Sequence, residues 1–437
     1  MEKYLARYAE PGSAVAADIP PGEPWRHILV VPVCNETPAI LRPLPPAAGR
    51  SLMILVVNEP ESSQPGVSAA NRAFADEVQA QFERKWQSGP SAGLALFSDP
   101  ASPRDVLLVD RFSEGLRFAG KGGVGYARKT GADIAACLYH RKRVVSPWIH
   151  CSDADVVLPG RYFSAASAGG TENTKTVAAL IYPFRHVAGG EGIDDGVVQM
   201  SRLYEFSLRY YVAGLNFAHS PYAFHTIGST MAVHAKHYAK VRGFPRREAG
   251  EDFYLLNKLA KVGSIQSLDE KKQCGPIEIA ARLSDRVPFG TGAAVGKMVC
   301  LENPFREFKL YHPAVFDLLK GWIDSLPLFW QKQSADLAGI LQPMGLEKLI
   351  VHLNKAGATG ALEHSLRQSS SSTRFIRHMH TWFDAFRTLK LIHYLRDYHY
   401  PSMSFEALAL AGRLDHLLDR EPVLRRLHVE LRGIDPF

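Results

Sequence analysis

The sequence predicts an α/β protein: a mostly parallel sheet flanked by helices, followed by a C-terminal helical region. Three observations carry that prediction. Two apolar runs, HILVVPV (27–33) and SLMILVV (51–57), are continuous rather than alternating, and each opens at its C-terminal end into polar turn formers. Strands buried on both faces read this way. Strand-like runs then alternate with helically spaced segments, the pattern of a sheet covered on both sides. Past about residue 300 the apolar positions recur only at helical intervals.

The elements follow in order. Residues 1–25 are rich in Pro, Gly and Ala and read as an irregular lead-in. The segment 26–300 holds the α/β domain, and 301–437 the helical region. After the two apolar strands, NRAFADEVQAQFERKW (71–86) spaces Phe74, Val78, Phe82 and Trp86 four apart, a helix with one apolar stripe. DVLLVD (105–110) is a third strand. The run from Gly120 to Leu138 begins glycine-rich and turns helical. PWIHCSDAD (147–155) and VAALIYPF (177–184) read as further strands. In parallel sheets ligands sit beyond the carboxyl ends of the strands, where CNE, NEPES and SDAD all fall. In the C-terminal region Phe375, Met379, Trp382, Phe386, Leu389 and His393 form a stripe at intervals of three and four. That is a packed bundle helix or, alternatively, a basic amphipathic helix lying on a membrane surface. QSSSS (368–372) before it reads as a linker.

Composition narrows the class. Over 437 residues, 46% are hydrophobic and 22% charged, which is neither disordered nor fibrous. No spanning apolar run and no secretory leader are visible, so a cytoplasmic protein, at most peripheral to a membrane, is expected. The five cysteines are scattered without a C-x-x-C pair, which argues against a zinc site or a disulfide frame. A net charge of +7 suits phosphate-bearing ligands or an anionic surface, without pointing to nucleic acid.

Three clusters carry chemistry. Gly120, Gly122, Gly123 and Gly125 precede a helix bearing Arg128 and Lys129, a suitable phosphate cradle or a plain turn. Asp153 and Asp155 stand two apart, so that on extended backbone both carboxylates share a face. Such a pair can hold Mg²⁺ or Mn²⁺ together with substrate phosphates, or can belong to a capped turn before Pro159. Glu251 and Asp252 open a helix after the loop GFPRREAG, where an acid can act as a base toward a bound hydroxyl or complement the helix dipole.

The order of these pieces resembles family-2 glycosyltransferases of the GT-A fold. The first strand of that family ends in P-x-x-N-E, matched by PVCNE (32–36) with Pro32, Asn35 and Glu36. NEPESS (58–63) stands where the family places its nucleoside-binding acids, with Glu59 the counterpart. GVGYARKTGAD (123–133) matches G-x-x-x-A-R through Gly123 and Arg128, and SDAD matches the D-x-D motif. GST (228–230), RGF (242–244) and the pair Glu251–Asp252 match the acceptor side. The resemblance implies a donor site at Pro32, Asn35, Glu36, Glu59, Gly123, Arg128 and Asp153, and Mn²⁺ or Mg²⁺ on Asp153 and Asp155. It implies a catalytic base at Asp252 or Glu251. The implied reaction is inverting transfer from a nucleoside-diphosphate sugar to a glycan, lipid or small-molecule acceptor. NEPESS lacks the usual acidic pair, which leaves the base of the donor open. The Q-x-x-R-W signature of processive synthases is absent, as are membrane spans, which implies a non-processive enzyme. Arg282 and Arg286, in ARLSDRVPFGTGAAVG (281–296), lie where a post-catalytic loop reaches the diphosphate or where a surface loop runs.

Two other classes stay open. A non-catalytic sugar-nucleotide sensor or scaffold would keep the donor site without turnover. A nucleotidyltransferase making a sugar nucleotide would need G-x-x-x-R-x-x-P-x-x-K after the first strand, and VVPV is followed by no such pattern.

Overall fold

The computed structural model describes residues 1–46, 49–61, 66–119, 123–169, 176–189, 194–283, 290–410, 414–418 and 421–434. The chain forms two compact units, Met1–Ile193 with Thr226–Ala293, and Asp194–His225 with Ala294–Phe437. The second unit therefore takes in residues 194–225, which the sequence reading leaves in the segment 26–300.

In chain order, the strands of the first unit are β1 (His27–Val33), β2 (Ser51–Asn58), β3 (Glu83–Gln87), β4 (Leu94–Ser98), β5 (Arg104–Arg111) and β6 (Trp148–Cys151). Next come β7 (Val156–Val157), β8 (Val177–Ile181), β9 (Phe184–Ala188), β10 (Met231–His234), β11 (Ser264–Ser267) and β12 (Ile277–Ala281). Its helices are α1 (Glu2–Arg7), α2 (Val67–Gln81), α3 (Val124–His140), α4 (Tyr162–Gly169), α6 (Ala235–Lys240) and α7 (Glu251–Leu259), while α5 (Asp195–Phe217) belongs to the second unit.

Among the described residues, nine strands form one sheet in the order β11-β8-β10-β6-β1-β2-β5-β4-β3. The expected mostly parallel sheet is in fact mixed. β6, β1, β2 and β5 pair parallel, as do β11 and β8, whereas β10 lies antiparallel to both of its neighbours and so does β4. The two apolar runs are continuous because β1 and β2 lie in the middle of this sheet, with every residue buried. Helix α3 covers them closely: a Cβ on Gly131 would strike Val30 of β1 and Val56 of β2. A small second sheet joins β7, β12 and β9.

Three local expectations change. The helix expected over 71–86 is α2, which starts at Val67 and stops at Gln81, and Trp86 lies in β3 against Leu96 of β4. The strand expected through Asp155 ends at Cys151, and Ala154 and Asp155 form a turn. The lead-in is not irregular: α1 and a 3-10 helix over Pro11–Asp18 occupy it.

Among the described residues, the strands of the otherwise helical second unit are the short pair β13 (Lys309–Leu310) and β14 (Met403–Ser404). Gly214 of α5 leaves the space that the ring of Phe316 fills. The apolar stripe expected over 375–393 is split, because Asp384 caps a new helix, Ala385–Tyr398, by accepting from the backbone N–H groups of Phe386 and Arg387. Beyond that break the buried face is Leu391, Ile392 and Leu395 rather than Leu389 and His393. The expected linker is short: one helix runs to Gln368 and Ser371 caps the next. Among the described residues, no helix is long and apolar enough to cross a membrane.

Candidate active site

The site forms at the carboxyl ends of β1, β2 and β6, where neighbouring strands run out at different heights. The amide N–H of Ser152 donates to the Val30 carbonyl at 3.0 Å, the last rung between β6 and β1. β1 continues to Val33, and Pro32, two residues beyond Val30, turns its edge without an N–H to the same side. A proline is tolerated there because β6 has already left the sheet.

The loops beyond are fastened by two asparagines. Asn35 holds a left-handed backbone, φ 52°, and its N–H donates to Asn71 Oδ1 at 2.9 Å. Asn71, fully buried on α2, donates to the Asn58 carbonyl at 3.0 Å, and Asn58 Nδ2 donates to the Val33 carbonyl at 2.9 Å. Asn71→Ala would leave the Asn35 N–H and the buried Asn58 carbonyl without this partner. It should cost about 1–3 kcal/mol in urea unfolding. Glu59, 2% exposed, accepts from Ser68 Oγ at 2.7 Å and faces Arg117 at 3.4 Å. Of the stretch NEPESS, Ser62 and Ser63 lie outside the described residues, as do Gly120, Gly122 and Arg286.

Two arginines organise the acids. Arg128 on α3 is buried, and its guanidinium bridges Asp153 and Glu251. Burial works against its charge, yet Asp153, Glu251 and Asp252 outweigh that and hold its pKa above the ordinary value. Gly228 of GST makes room for it, since a Cβ there would strike the guanidinium. Arg282, just beyond β12, donates to both oxygens of Glu36, at 2.9 and 2.7 Å, and lies 2.7 Å from Asp155 Oδ2. Burial again opposes its charge, and Glu36 and Asp155 raise its pKa. Asp153 and Asp155, two apart in one turn, thus meet different arginines. Glycines 123 and 125 serve packing: a Cβ on either would press on the backbone of the 245–251 loop, and Gly125 N–H donates to the Arg247 carbonyl at 3.2 Å.

Glu251 and Asp252 begin α7 and differ sharply. Glu251 is 2% exposed and committed to Arg128. Asp252 is half-buried, and its Oδ1 accepts from the Phe253 N–H at 2.7 Å. Burial, then the neighbouring Glu251, push its carboxyl up to about 7 against the pull of Arg128. A carboxyl poised there can exchange a proton near neutral pH.

The structure therefore brings Arg128, Asp153, Glu251 and Asp252 into one cluster, and Glu36, Asp155 and Arg282 into a second joined to it by the 153–155 turn. Asn35, Glu59 and Gly123 each have a local partner instead. Asn58 and Asn71 escape the sequence reading because a buried polar side chain in a helix or at a strand end has no periodic signature, and the exposed Ser68 and Arg117 because nothing near them in sequence marks Glu59 as their partner. Among the described residues no group of three or more His, Cys, Asp or Glu side chains is disposed to hold a metal. A site of two carboxylates completed by substrate phosphates needs no such group.

No family model matches this chain, and no curated protein matches it. Among solved structures, S. aureus TarS 1–349, crystallised in complex with UDP-GlcNAc, is 12% identical. The match covers 78% of this chain and 92% of that one with a TM-score of 0.36. A likeness of that degree leaves the family of this chain undefined.

Proposed function

We propose that this protein transfers a sugar from a nucleoside-diphosphate donor to an acceptor hydroxyl, with inversion and without processive extension. The reading rests chiefly on one observation: a single guanidinium, Arg128, joins Asp153 of the SDAD turn to Glu251 of the pair that opens α7. Two segments about a hundred residues apart thereby become one site. Asp252 stands beside that junction, with its carboxyl up at about 7.

The division of labour follows from the environments. Glu251 is buried and spent on Arg128, so it orients the cluster. Asp252 takes the proton from the acceptor hydroxyl as the new bond to the anomeric carbon forms. That carbon passes through an oxocarbenium-like state in a single displacement. Arg282, held by Glu36 and Asp155, places a second positive charge at the same strand ends, suited to a diphosphate.

Asp153 and Asp155 suit Mn²⁺ or Mg²⁺ in donor type. Both are carboxylates, their side chains are 37% and 20% exposed, and each has one oxygen on an arginine. The bound ion would supply Lewis-acid neutralisation of the leaving diphosphate.

The same arginines favour a second reading, a binding protein that never turns donor over, because Asp153 and Asp155 each already have a cationic partner without a metal. One experiment separates the cases. Thermal stability is measured against nucleoside diphosphates and sugar nucleotides, with and without Mn²⁺, for wild type and Asp153→Ala/Asp155→Ala. A ligand at a hundredfold its dissociation constant should stabilise wild type by about 2.7 kcal/mol. That gain should need Mn²⁺ and vanish in the variant. Binding without turnover supports the second reading, and no response to any nucleotide sinks both.

A further inference from the structure

We propose that residues 2–18 form a strap that positions the base-bearing start of α7, with Glu10 and Arg246 as positioning residues. This rests on the reading of Asp252 given above and extends it to a segment that otherwise has no role.

The strap is anchored on α3. Asp133, fully buried, accepts from Tyr4 Oη, from Tyr238 Oη at 2.8 Å and from the Glu10 N–H at 2.8 Å. Lys129 Nζ donates to Asp133 Oδ2 at 2.9 Å and to the Tyr8 carbonyl at 2.9 Å. Helix α3 also carries Arg128, the partner of Glu251. One rigid element thus holds both the guanidinium and the strap.

From that anchor three strap residues reach the loop that leads into α7. Glu10 accepts from Arg246 Nε at 2.8 Å and from Arg246 Nη2 at 3.0 Å. The Arg246 guanidinium also lies over the Tyr126 ring, 5.0 Å from its centroid. Arg242 lies over the Tyr8 ring at 4.7 Å. Gly243, at φ 67°, packs where any Cβ would strike Tyr4 Oη and Tyr238. The loop is tied forward as well: Lys258 of α7 donates to the carbonyls of Val241 and Gly243, each at 3.0 Å.

The need for such anchoring lies at the helix start. Gly250 occupies the N-cap of α7 at φ 73° and offers no side chain to cap it. The direction in which Asp252 leaves that turn is therefore set by what holds the preceding loop. Arg128 fixes Glu251, and the bidentate Glu10–Arg246 pair fixes the chain upstream. A small displacement of a catalytic group is costly in rate.

Arg246 is the residue to change, because its own side chain is 54% exposed, and the buried Glu10 carboxylate it leaves behind keeps Lys129 Nζ at 4.0 Å. Arg246→Gln should speed backbone amide exchange over 246–252 by about tenfold. It should lower kcat by about tenfold with donor KM unchanged. Arg246→Lys, which keeps the charge, should recover part of both. Glu10→Gln should reproduce the Arg246→Gln pattern. Exchange at wild-type rate in Arg246→Gln overturns the proposal, whatever the kinetics. So does faster exchange with kcat unchanged, since the tie would then hold the loop without positioning the base. If wild type shows no transfer at all, the reading of Asp252 fails on its own, and faster exchange would still establish the tie between strap and loop.

Discussion

Asp252→Asn should lower the transfer rate by about 10²–10⁴-fold, the usual worth of a positioned general base, while donor binding stays near wild type. Asparagine keeps the shape and can still accept from the Phe253 N–H, so the helix start is preserved. What is lost is a site for the acceptor's proton. In wild type the base must be ionised, so kcat/KM should climb about tenfold per pH unit below 7 and level off above it, following a carboxyl held at about 7. The stability sign runs the other way. A carboxyl raised from 3.8 to about 7 on folding favours the folded state at low pH. That contribution fades as pH rises from 3.8 and is gone above about 7, where the buried charge must be carried. Above pH 7 the variant should therefore be the more stable protein, by about 2 kcal/mol after allowance for the partial exposure of the group. A slower, more stable variant is the signature of a strained functional acid. Full activity in Asp252→Asn would remove it as the base and leave Glu251 as the remaining candidate.

The parts of this architecture legible in the sequence are those in which the chemistry is local. HILVVPV and SLMILVV announce a doubly covered sheet because every residue of β1 and β2 is buried. The acids of SDAD and of the α7 start are visible as motifs, and Arg128 brings them together. The mixed character of the sheet is not legible: β10 is four residues long, and nothing in MAVH states its direction. β3 is hidden for a different reason. Its residues ERKWQ are largely exposed and show no alternation, and Phe82 and Trp86 happen to continue the stripe of α2. The lead-in looks irregular because its structure depends on partners far away, Asp133 for Tyr4 and Arg246 for Glu10. Long-range pairs such as Glu36 with Arg282 are likewise silent until the chain is folded, since neither residue has a neighbour in sequence that implies the other.

Arg128→Met should destabilise the protein by about 3–5 kcal/mol in urea unfolding, the usual cost of leaving one partner of a buried ion pair alone. Glu251, at 2% exposure, cannot recover solvent when its guanidinium goes. Asp153 should suffer less, because its side chain is 37% exposed and water can replace the lost contact. The two halves of the bridge can therefore be separated. Adding Glu251→Gln to Arg128→Met should restore a large part of the loss, because the uncompensated charge is then removed. Adding Asp153→Asn should restore little. A double-mutant cycle on each pair measures that asymmetry directly. Arg128→Lys should fall between wild type and Arg128→Met: it keeps the charge, but an ammonium cannot span two carboxylates as the planar fork does. The outcome also bears on mechanism. If Arg128→Met with Glu251→Gln folds well but binds donor weakly, Arg128 contributes charge to the site beyond its structural pairing. If the double variant binds as wild type does, the guanidinium only holds α3 and α7 together. Should Arg128→Met alone prove within about 1 kcal/mol of wild type, the buried bridge is no keystone of this fold, and the convergence of Asp153 with Glu251 must be maintained by the backbone.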